Sequence, residues 1–328
     1  MEIADDRTAA FGGFWTALAA TGAGLRAAGR LAIGLGLAAG ICAAASAREE
    51  TTGATARTAQ RPALWAVSDA DTTIFLFGSV HALPPEQQWR FAELEAALEA
   101  AQAVYFETRL DLIAQARLAF LIARLGVNPE GVRLSDMLGS EKAARMRRAV
   151  AELDLEPDAF EAMRPWYAYL SFSAATALAA GASAAHGVDA VLEVEARRAR
   201  KEVRFFETPE AQIAIFSEMS ESDQIAVLEI TLDAYDMALD QLAELFRAWG
   251  AGDIETIERL AFEGMAAAPP AFFERIYTTR NQAWAVELDR ALREEPGVLM
   301  AVVGAAHLVG PDSVQALLAA RGYDVSRR

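Results

Sequence analysis

The sequence predicts an α/β or α+β domain in which helices flank a central mixed β-sheet. Short apolar runs rich in β-branched and aromatic residues stand near both ends of the domain region, and further runs stand between them. Long stretches typical of helices separate these runs, which indicates a fold of layered sheet and helices. Hydrophobic residues make up 53% of the 328-residue chain, so the composition excludes a disordered protein.

The predicted domain begins with an N-terminal β-hairpin. Two apolar runs, at 63–67 and 72–80, are separated by the segment SDAD at 68–71, and Asp and Ser favour turns because their side chains bond the nearby backbone. The second run is apolar almost throughout, as expected for a strand that is buried on both faces. A helix is predicted next, over 86–102, followed by a strand over 103–109.

Two helical regions fill most of the remaining chain. Residues 110–200 predict a large helical insertion, and residues 209–295 predict a second helical segment. Gly250 and Gly252 are expected to break this second segment once, and Pro269-Pro270 are expected to break it again.

Two more strands are predicted, at 203–208 and 298–303. A last helix is predicted over 312–321, with Gly322 as its expected C-cap. The apolar stretch 166–180 is shorter than the roughly 20 residues that a membrane span needs. It also contains serine and threonine, so we expect a buried core helix there.

The amino-terminal residues 1–47 are typical of a signal peptide. Arg26 and Arg30 precede an apolar run at 31–44, and the segment ASA at 45–47 fits a cleavage site. We therefore expect a periplasmic or secreted protein without a stable membrane span after cleavage, with an uncleaved N-terminal anchor as the alternative. Residues 48–61 are polar and predict a flexible leader, which places the domain at 62–326.

The formal net charge of −16 argues against a nucleic-acid partner, because an acidic chain repels phosphates. The only cysteine, Cys42, lies in the predicted signal peptide, so thiol chemistry is not expected in the mature chain. We expect a peptide or a small molecule as the substrate or ligand.

Two histidines stand in matching sequence contexts. His81 and His307 each follow an apolar strand in the pattern G-x-x-H, with a proline four residues later and an acidic residue five residues later. The proline and the acid favour a helix start directly after each motif. Both histidines are thus expected at the carboxyl ends of strands, where α/β sheets bind ligands. The third histidine, His186, is predicted to lie in a turn or at the surface.

Two carboxylates and one arginine–asparagine pair complete the candidate residues. Glu107 and Glu207 each close an apolar strand, where an acid is costly unless it has a partner; exposed loop positions are the alternative. Arg280 and Asn281 lie in a helical stretch. An arginine there could clamp a carboxylate or stabilise an oxyanion, although the spacing alone favours a solvent-exposed helix face.

Five segments of this sequence together resemble the TraB/GumN family, a relative of the Tiki metalloproteases and, more remotely, of erythromycin-esterase-like and ChaN-like proteins. They are IFLFGSVHALP, VYFET, HGVDAVLEVEARRARKEVRFFETPEAQ, the Arg280-Asn281 pair and VVGAAHLVGPDSVQALLAARGY, spread from about Leu64 to Tyr323. The resemblance implies a hydrolase-like active site made by His81, His307, Glu107, Arg280 and Asn281. Glu207 is a further candidate from its own position at the end of a strand.

Three hypotheses about function follow. The first is an exported metal-dependent hydrolase of peptide bonds, in which His81, His307 and Glu107 hold a divalent ion of the manganese, cobalt or zinc type. Arg280 would then stabilise the oxyanion, and Asn281 would orient substrate or backbone. The second is a metal-independent, esterase-like hydrolase with a histidine as general base. The third is a non-enzymatic envelope protein that binds its ligand in the same cleft.

Overall fold

The computed structural model describes residues 60–109 and 111–328. The predicted signal peptide and all but the last two residues of the predicted leader lie outside the described residues. Within the described part of the chain, the strands form one six-stranded mixed sheet flanked by helices, which confirms the predicted α/β fold class. The strands are β1 Leu64–Ser68, β2 Thr72–Ser79, β3 Ala103–Thr108, β4 Glu202–Glu207, β5 Gly297–Gly304 and β6 Asp324–Arg327.

The order of strands across the sheet is β4-β3-β5-β2-β1-β6. β1 and β2 form the predicted antiparallel hairpin, with Ala66 opposite Phe75. β2, β3, β4 and β5 run parallel to one another, so their carboxyl ends meet at one edge of the sheet. Each candidate histidine and each candidate glutamate lies within three residues of the carboxyl end of one of these four strands.

Eleven α-helices are assigned among the described residues. They are α1 Ala92–Ala100, α2 Leu112–Leu125, α3 Leu134–Glu152, α4 Pro165–Ala179, α5 Val188–Arg198, α6 Pro209–Ser217, α7 Glu221–Ala251, α8 Ile254–Glu263, α9 Pro270–Phe273, α10 Thr279–Glu294 and α11 Val314–Ala319. A π-helical turn, Glu274–Thr278, joins α9 to α10. Helices α2 to α5 form the predicted insertion between β3 and β4.

The sheet separates two apolar cores. On one face, α10 and α11 pack Trp284, Leu288 and Leu318 against the strands. On the other face, α1, α5 and α7 cover the sheet, and the indole Nε1 of Trp249 donates to the Gly78 carbonyl at 2.8 Å.

A third apolar core lies between the helices and contains the first half of α4, from Trp166 to Phe172. Residues 165–176 of α4 are all buried, which confirms the predicted core helix. No helix in the described part of the chain is both long enough and apolar enough to span a membrane.

The predicted helix starts after both G-x-x-H motifs are wrong. α1 begins at Ala92 and α11 begins at Val314, so Pro85 and Pro311 lie in turns ahead of the helices. The reason at the first motif is that the loop pairs with another segment: Leu83 and Ser183 exchange two backbone hydrogen bonds, at 3.2 and 2.9 Å. That pairing holds Leu83 in an isolated bridge, and a turn at Pro85 and Glu86 follows it before α1 begins.

One other sequence prediction is corrected by the structure. Gly250 does not break a helix but lies inside α7, where a Cβ would collide with the side chains of Gln60 and Gln87. The missing side chain lets the chain at Arg61 approach, and its N–H donates to the Gly250 carbonyl at 2.7 Å. The helix ends at Gly252, whose φ of 66° is left-handed. The short, polar strand β6 was not predicted, because a sheet-edge strand needs no apolar run.

Candidate active site

The structure brings all six sequence-predicted site residues together at the carboxyl edge of the parallel strands. Glu107 is the penultimate residue of β3 and Glu207 is the last residue of β4, while His81 follows β2 and His307 lies in a short turn after β5. Arg280 and Asn281, from the first turn of α10, contact this edge from one side. The topology explains the cluster, since parallel neighbours end at the same edge.

His307 is a buried, fully hydrogen-bonded ring. Its Nδ1 lies 2.5 Å from Oδ1 of Asn281, and Nδ2 of Asn281 donates to the Asp312 carbonyl at 2.8 Å. This network assigns the proton to Nδ1 of His307. The other nitrogen, Nε2, then accepts from Nη1 of Arg280 at 3.0 Å.

Burial lowers the pKa of His307 and the adjacent Arg280 guanidinium lowers it further, to about 3. The ring packs against Trp284, with 4.5 Å between the ring centroids. His307 is therefore a neutral imidazole, and both of its nitrogens already have partners.

Arg280 uses all five of its N–H groups within the protein. Nε donates to Glu207 at 2.7 Å, and Nη2 donates to Glu107 at 2.6 Å and to Glu207 at 3.1 Å. Nη1 donates to the Ile276 carbonyl at 3.1 Å and to His307 at 3.0 Å. With no N–H left over, the guanidinium as arranged cannot donate to an oxyanion, the role that the sequence suggested; instead it holds the two glutamates in place.

Arg280 and Asn281 are not on a solvent-exposed helix face, which corrects the interpretation from spacing alone. The side chain of Arg280 is 10% exposed and Asn281 is 2% exposed. The face of α10 that carries them turns toward the sheet edge, where buried carboxylates and an imidazole satisfy their polar groups. Spacing alone could not show this, because the partners come from other strands.

Glu107 is a buried carboxylate held from two sides. Its Oε1 accepts from the Gly304 N–H at 2.6 Å, and its Oε2 accepts from Arg280. Burial alone would raise the pKa of Glu107, but the Arg280 guanidinium, the His81 imidazole and the Gly304 N–H hold it well below the usual range. Glu107 is therefore ionised and a weak base.

His81 differs from His307 because one of its nitrogens is unsatisfied. Nδ1 lies 3.0 Å from Oδ2 of Asp189, whereas Nε2 is buried and has no hydrogen-bond partner among the described residues. The nearest carboxylate to Nε2 is Oε1 of Glu107, at 3.9 Å. Burial acts to lower the pKa of His81, but the Asp189 and Glu107 carboxylates outweigh it and raise the pKa to about 9. Within this cluster, Nε2 of His81 is the atom available for proton transfer.

Asp189 is the site residue that sequence reasoning missed. It lies in the first turn of α5, and the segment before it is clamped to the His81 loop, since the Val188 N–H donates to the Val80 carbonyl at 2.9 Å. A Cβ on Gly187 would collide with the His81 carbonyl oxygen, so only glycine permits this approach. The sequence signal is the run His186-Gly187-Val188-Asp189, in which Asp189 stands three residues after the histidine that is predicted to lie in a turn or at the surface. His186 itself is exposed, in line with the surface position expected for it.

The predicted metal ligands fit a divalent ion only in part. Oε1 of Glu107 lies 3.9 Å from Nε2 of both His81 and His307, and a Cβ on Gly304 would lie 3.2–3.6 Å from atoms of all three residues, so an atom-sized space exists between them. However, Nε2 of His307 has one lone pair, and Arg280 occupies it. Within the described residues, no three His, Cys, Asp or Glu side chains are grouped closely enough to hold one ion. The three-ligand site does not fit the arrangement as it stands.

Comparison with known proteins supports the resemblance that the motifs indicated. A model of the TraB/PrgY/gumN family matches residues 63–327, which include the whole sheet and every residue of the cluster. No curated protein and no solved structure matches the chain. Because the family match covers most of the sequence, the chain belongs to the TraB/PrgY/gumN family.

Proposed function

We propose that this protein is a hydrolase of amide or ester bonds in which His81 is the general base. One observation carries the proposal: the His81 imidazole has one nitrogen fixed by a carboxylate, while its other nitrogen is buried and has no hydrogen-bond partner among the described residues. This arrangement of base and orienting carboxylate is the one that activates water or a hydroxyl nucleophile in hydrolases.

The proposed step moves one proton twice. Nε2 of His81 takes a proton from water while the water oxygen forms a bond to the substrate carbonyl carbon. The same nitrogen then returns the proton to the leaving amine or alkoxide as the carbon–nitrogen or carbon–oxygen bond breaks. Asp189 stabilises the imidazolium that exists between the two transfers, and it keeps the neutral ring in the tautomer that leaves Nε2 free.

The pH dependence of turnover tests this role. Because the pKa of His81 is about 9, the deprotonated base is the minor form at pH 7, and its population grows about tenfold per pH unit up to the pKa. We expect kcat/KM to rise with this slope and to level off near pH 9. Asp189→Asn removes the negative charge that raises the pKa, so the inflection should move to lower pH while the plateau falls. An inflection that stays in place in Asp189→Asn would contradict the assignment.

A divalent-ion-dependent form of the same hydrolase is the second candidate, and one observation favours it. Oε1 of Glu107 is equally distant from Nε2 of both histidines, and each histidine has its Nδ1 held by an acceptor, as is usual for metal-binding histidines. A bound ion would supply an activated water. His307 could join the ligands only after losing its contact with Arg280.

Metal analysis decides between the two candidates. The purified protein is assayed on peptide p-nitroanilides and p-nitrophenyl esters, before and after dialysis against a chelator, and its metal content is measured in parallel. Turnover that survives removal of the metal supports the His81 base. Turnover that disappears and returns with Mn²⁺, Co²⁺ or Zn²⁺ supports the ion-dependent form. Ligand binding without any turnover would support the non-enzymatic alternative.

We also propose export to the periplasm or the cell exterior, with a peptide or small-molecule substrate there. Support comes from the sequence, where two arginines, an apolar run and the ASA segment precede the domain. Determining the amino-terminal residue of the protein recovered from an extracellular fraction tests this proposal, and an intact residue 1 would contradict cleavage.

A further inference from the structure

Helix α2 is apolar on both of its sides. Its inner side packs into the apolar core between the helices, through Leu118, Leu121, Ile122 and Leu125. Its opposite side is also apolar but lies in solvent, where Leu112 is 62% exposed, Ile113 is 78% exposed and Phe120 is 57% exposed. A helix at a protein surface normally turns polar residues toward water, so a partner is expected on this side of α2.

The exposed apolar side chains of α2 form one continuous surface. Successive residues of a helix are about 100° apart, so these side chains fall within an arc of about 100°. We call this arc the outer face of α2; it consists of Leu112, Ile113, Ala116, Phe120 and Ala123, all of them exposed. Val127 and Val132, in the loop that follows α2, are exposed as well. Exposed apolar side chains are thus concentrated in this one segment of the described chain.

The charges beside the outer face are basic. Residues 112–125 contain Arg117 and Arg124 but no acidic residue, although the whole chain has a net charge of −16. Both arginines are exposed and border the outer face on the same side. Arg117 pairs with Glu210, whereas Arg124 has no ion-pair partner among the described residues. Repulsion by distant acidic groups is screened beyond about 10 Å at 0.1 M salt, so the nearby arginines decide which partner is attracted.

Shape and charge together favour a lipid surface as the partner. Three side chains of the outer face are more than half exposed, so the face is convex, whereas peptides and small molecules bind in grooves and clefts. A second copy that docked by its own outer face would bring arginines together without an acidic group on either face to pair with them. An apolar helix face bordered by arginines is instead typical of helices that lie in the interface of an anionic bilayer.

We propose that α2 docks this protein on the surface of an anionic lipid bilayer. The outer face enters the interfacial region, and Arg117 and Arg124 lie at the level of the headgroup phosphates. Leu112 follows Glu107 by five residues, so their backbones are at most about 18 Å apart. Docking therefore holds the candidate active site close to the lipid, and it does so whichever reaction the site performs.

An environment-sensitive dye on α2 tests the inference in the full-length protein. Cys42 is the only cysteine, so Cys42→Ser permits a single label at Ala116→Cys, in the middle of the outer face. With vesicles of phosphatidylcholine and phosphatidylglycerol, we expect the emission of this dye to shift to shorter wavelength and to be quenched by brominated lipid chains. The matched control Ala96→Cys, at an exposed position of α1, should keep the emission it has in water. Because each dye reports on its own position, binding of the apolar run 31–44 to the vesicles does not produce the signal.

Substitutions on α2 test its apolar and charged parts separately. Ile113→Asn combined with Phe120→Asn should abolish the shift at position 116, and both replaced side chains are exposed, so the fold is expected to persist. Arg124→Gln should raise the lipid concentration that gives half of the shift by about fivefold, the effect of one basic residue near an anionic surface. Arg290→Gln, at an exposed arginine of α10, should leave that concentration unchanged.

The same measurements can overturn the inference. No shift at position 116 with these vesicles, or an equal shift with phosphatidylcholine alone, would contradict docking on an anionic bilayer. A dye at 116 that becomes shielded without vesicles as the protein concentration rises would make the outer face an interface between copies of the chain. A dye that is shielded without vesicles at every concentration would assign the outer face to another segment of the same chain, and either result would replace lipid docking.

Discussion

Replacing Arg280 with methionine should lower the free energy of unfolding by about 3–5 kcal/mol, the cost of leaving buried charges without their partner. The substitution leaves the buried carboxylates of Glu107 and Glu207 without the guanidinium that donates hydrogen bonds to both, and it removes the donor to His307. Urea unfolding at pH 7 measures the loss. Arg290→Met provides the matched control, since Arg290 is an exposed arginine on the same helix and should change stability by less than about 0.5 kcal/mol.

The destabilisation by Arg280→Met should shrink as the pH falls. In the wild-type protein the folded-state pKa of Glu107 lies below its unfolded value of 4.5, so its contribution to stability is present above pH 4.5 and is lost as the pH falls through the folded-state pKa. In the variant, burial without Arg280 raises the pKa of Glu107, and protonation then relieves the buried charge. We expect a smaller difference from wild type at pH 5 than at pH 7. A loss under 1 kcal/mol that does not depend on pH would contradict the role given to Arg280.

His81→Gln should reduce kcat/KM by about 10²–10⁴-fold, the usual contribution of a general base. Glutamine keeps a polar side chain in the pocket next to Asp189 but cannot take up a proton at neutral pH. His186→Gln is the matched control, because His186 is an exposed histidine outside the cluster, and its turnover should equal that of the wild type. Circular dichroism and thermal unfolding of each variant separate a catalytic loss from a folding defect.

Combining His81→Gln with Asp189→Asn sharpens this test. If Asp189 acts through His81, the double variant should be about as slow as His81→Gln alone, since residues that work as a unit are not additive. Losses that multiply would mean that Asp189 has a separate role, and the His81–Asp189 pair would not be the catalytic unit.

The sequence predicted the sheet and most of the site for a physical reason. Apolar runs show where buried strands lie, and polar residues at their ends show what the sheet edge carries. His81, Glu107 and His307 are therefore identifiable from local sequence patterns alone. The hydrogen bonds that distinguish the two histidines could not be found this way, because Asp189 and Asn281 are far from their partners in the sequence.

The sequence alone also does not predict which face of a helix packs against the sheet edge. Arg280 occupies a polar position of α10, and the sequence pattern alone favours a solvent-exposed position for it. In the structure its guanidinium instead contacts the strand-end carboxylates of Glu107 and Glu207. The same limit applies to Gly187, whose requirement for no side chain arises from the His81 backbone, more than a hundred residues earlier. Contacts of this kind come from the tertiary structure and leave no periodic pattern.

Titration of the histidine rings by NMR tests the central claim most directly. The chain has three histidines, so the variant His186→Gln retains only the two histidines of the candidate site. The NMR signals of their ring nitrogens can be assigned in chelator-treated protein. We predict that His81 titrates with a pKa of about 9 and that His307 stays neutral from about pH 5 to about pH 10, with its proton on Nδ1. A His81 ring that titrates near 6.5, the value of an unperturbed imidazole, would show that Asp189 does not hold it and would contradict the account.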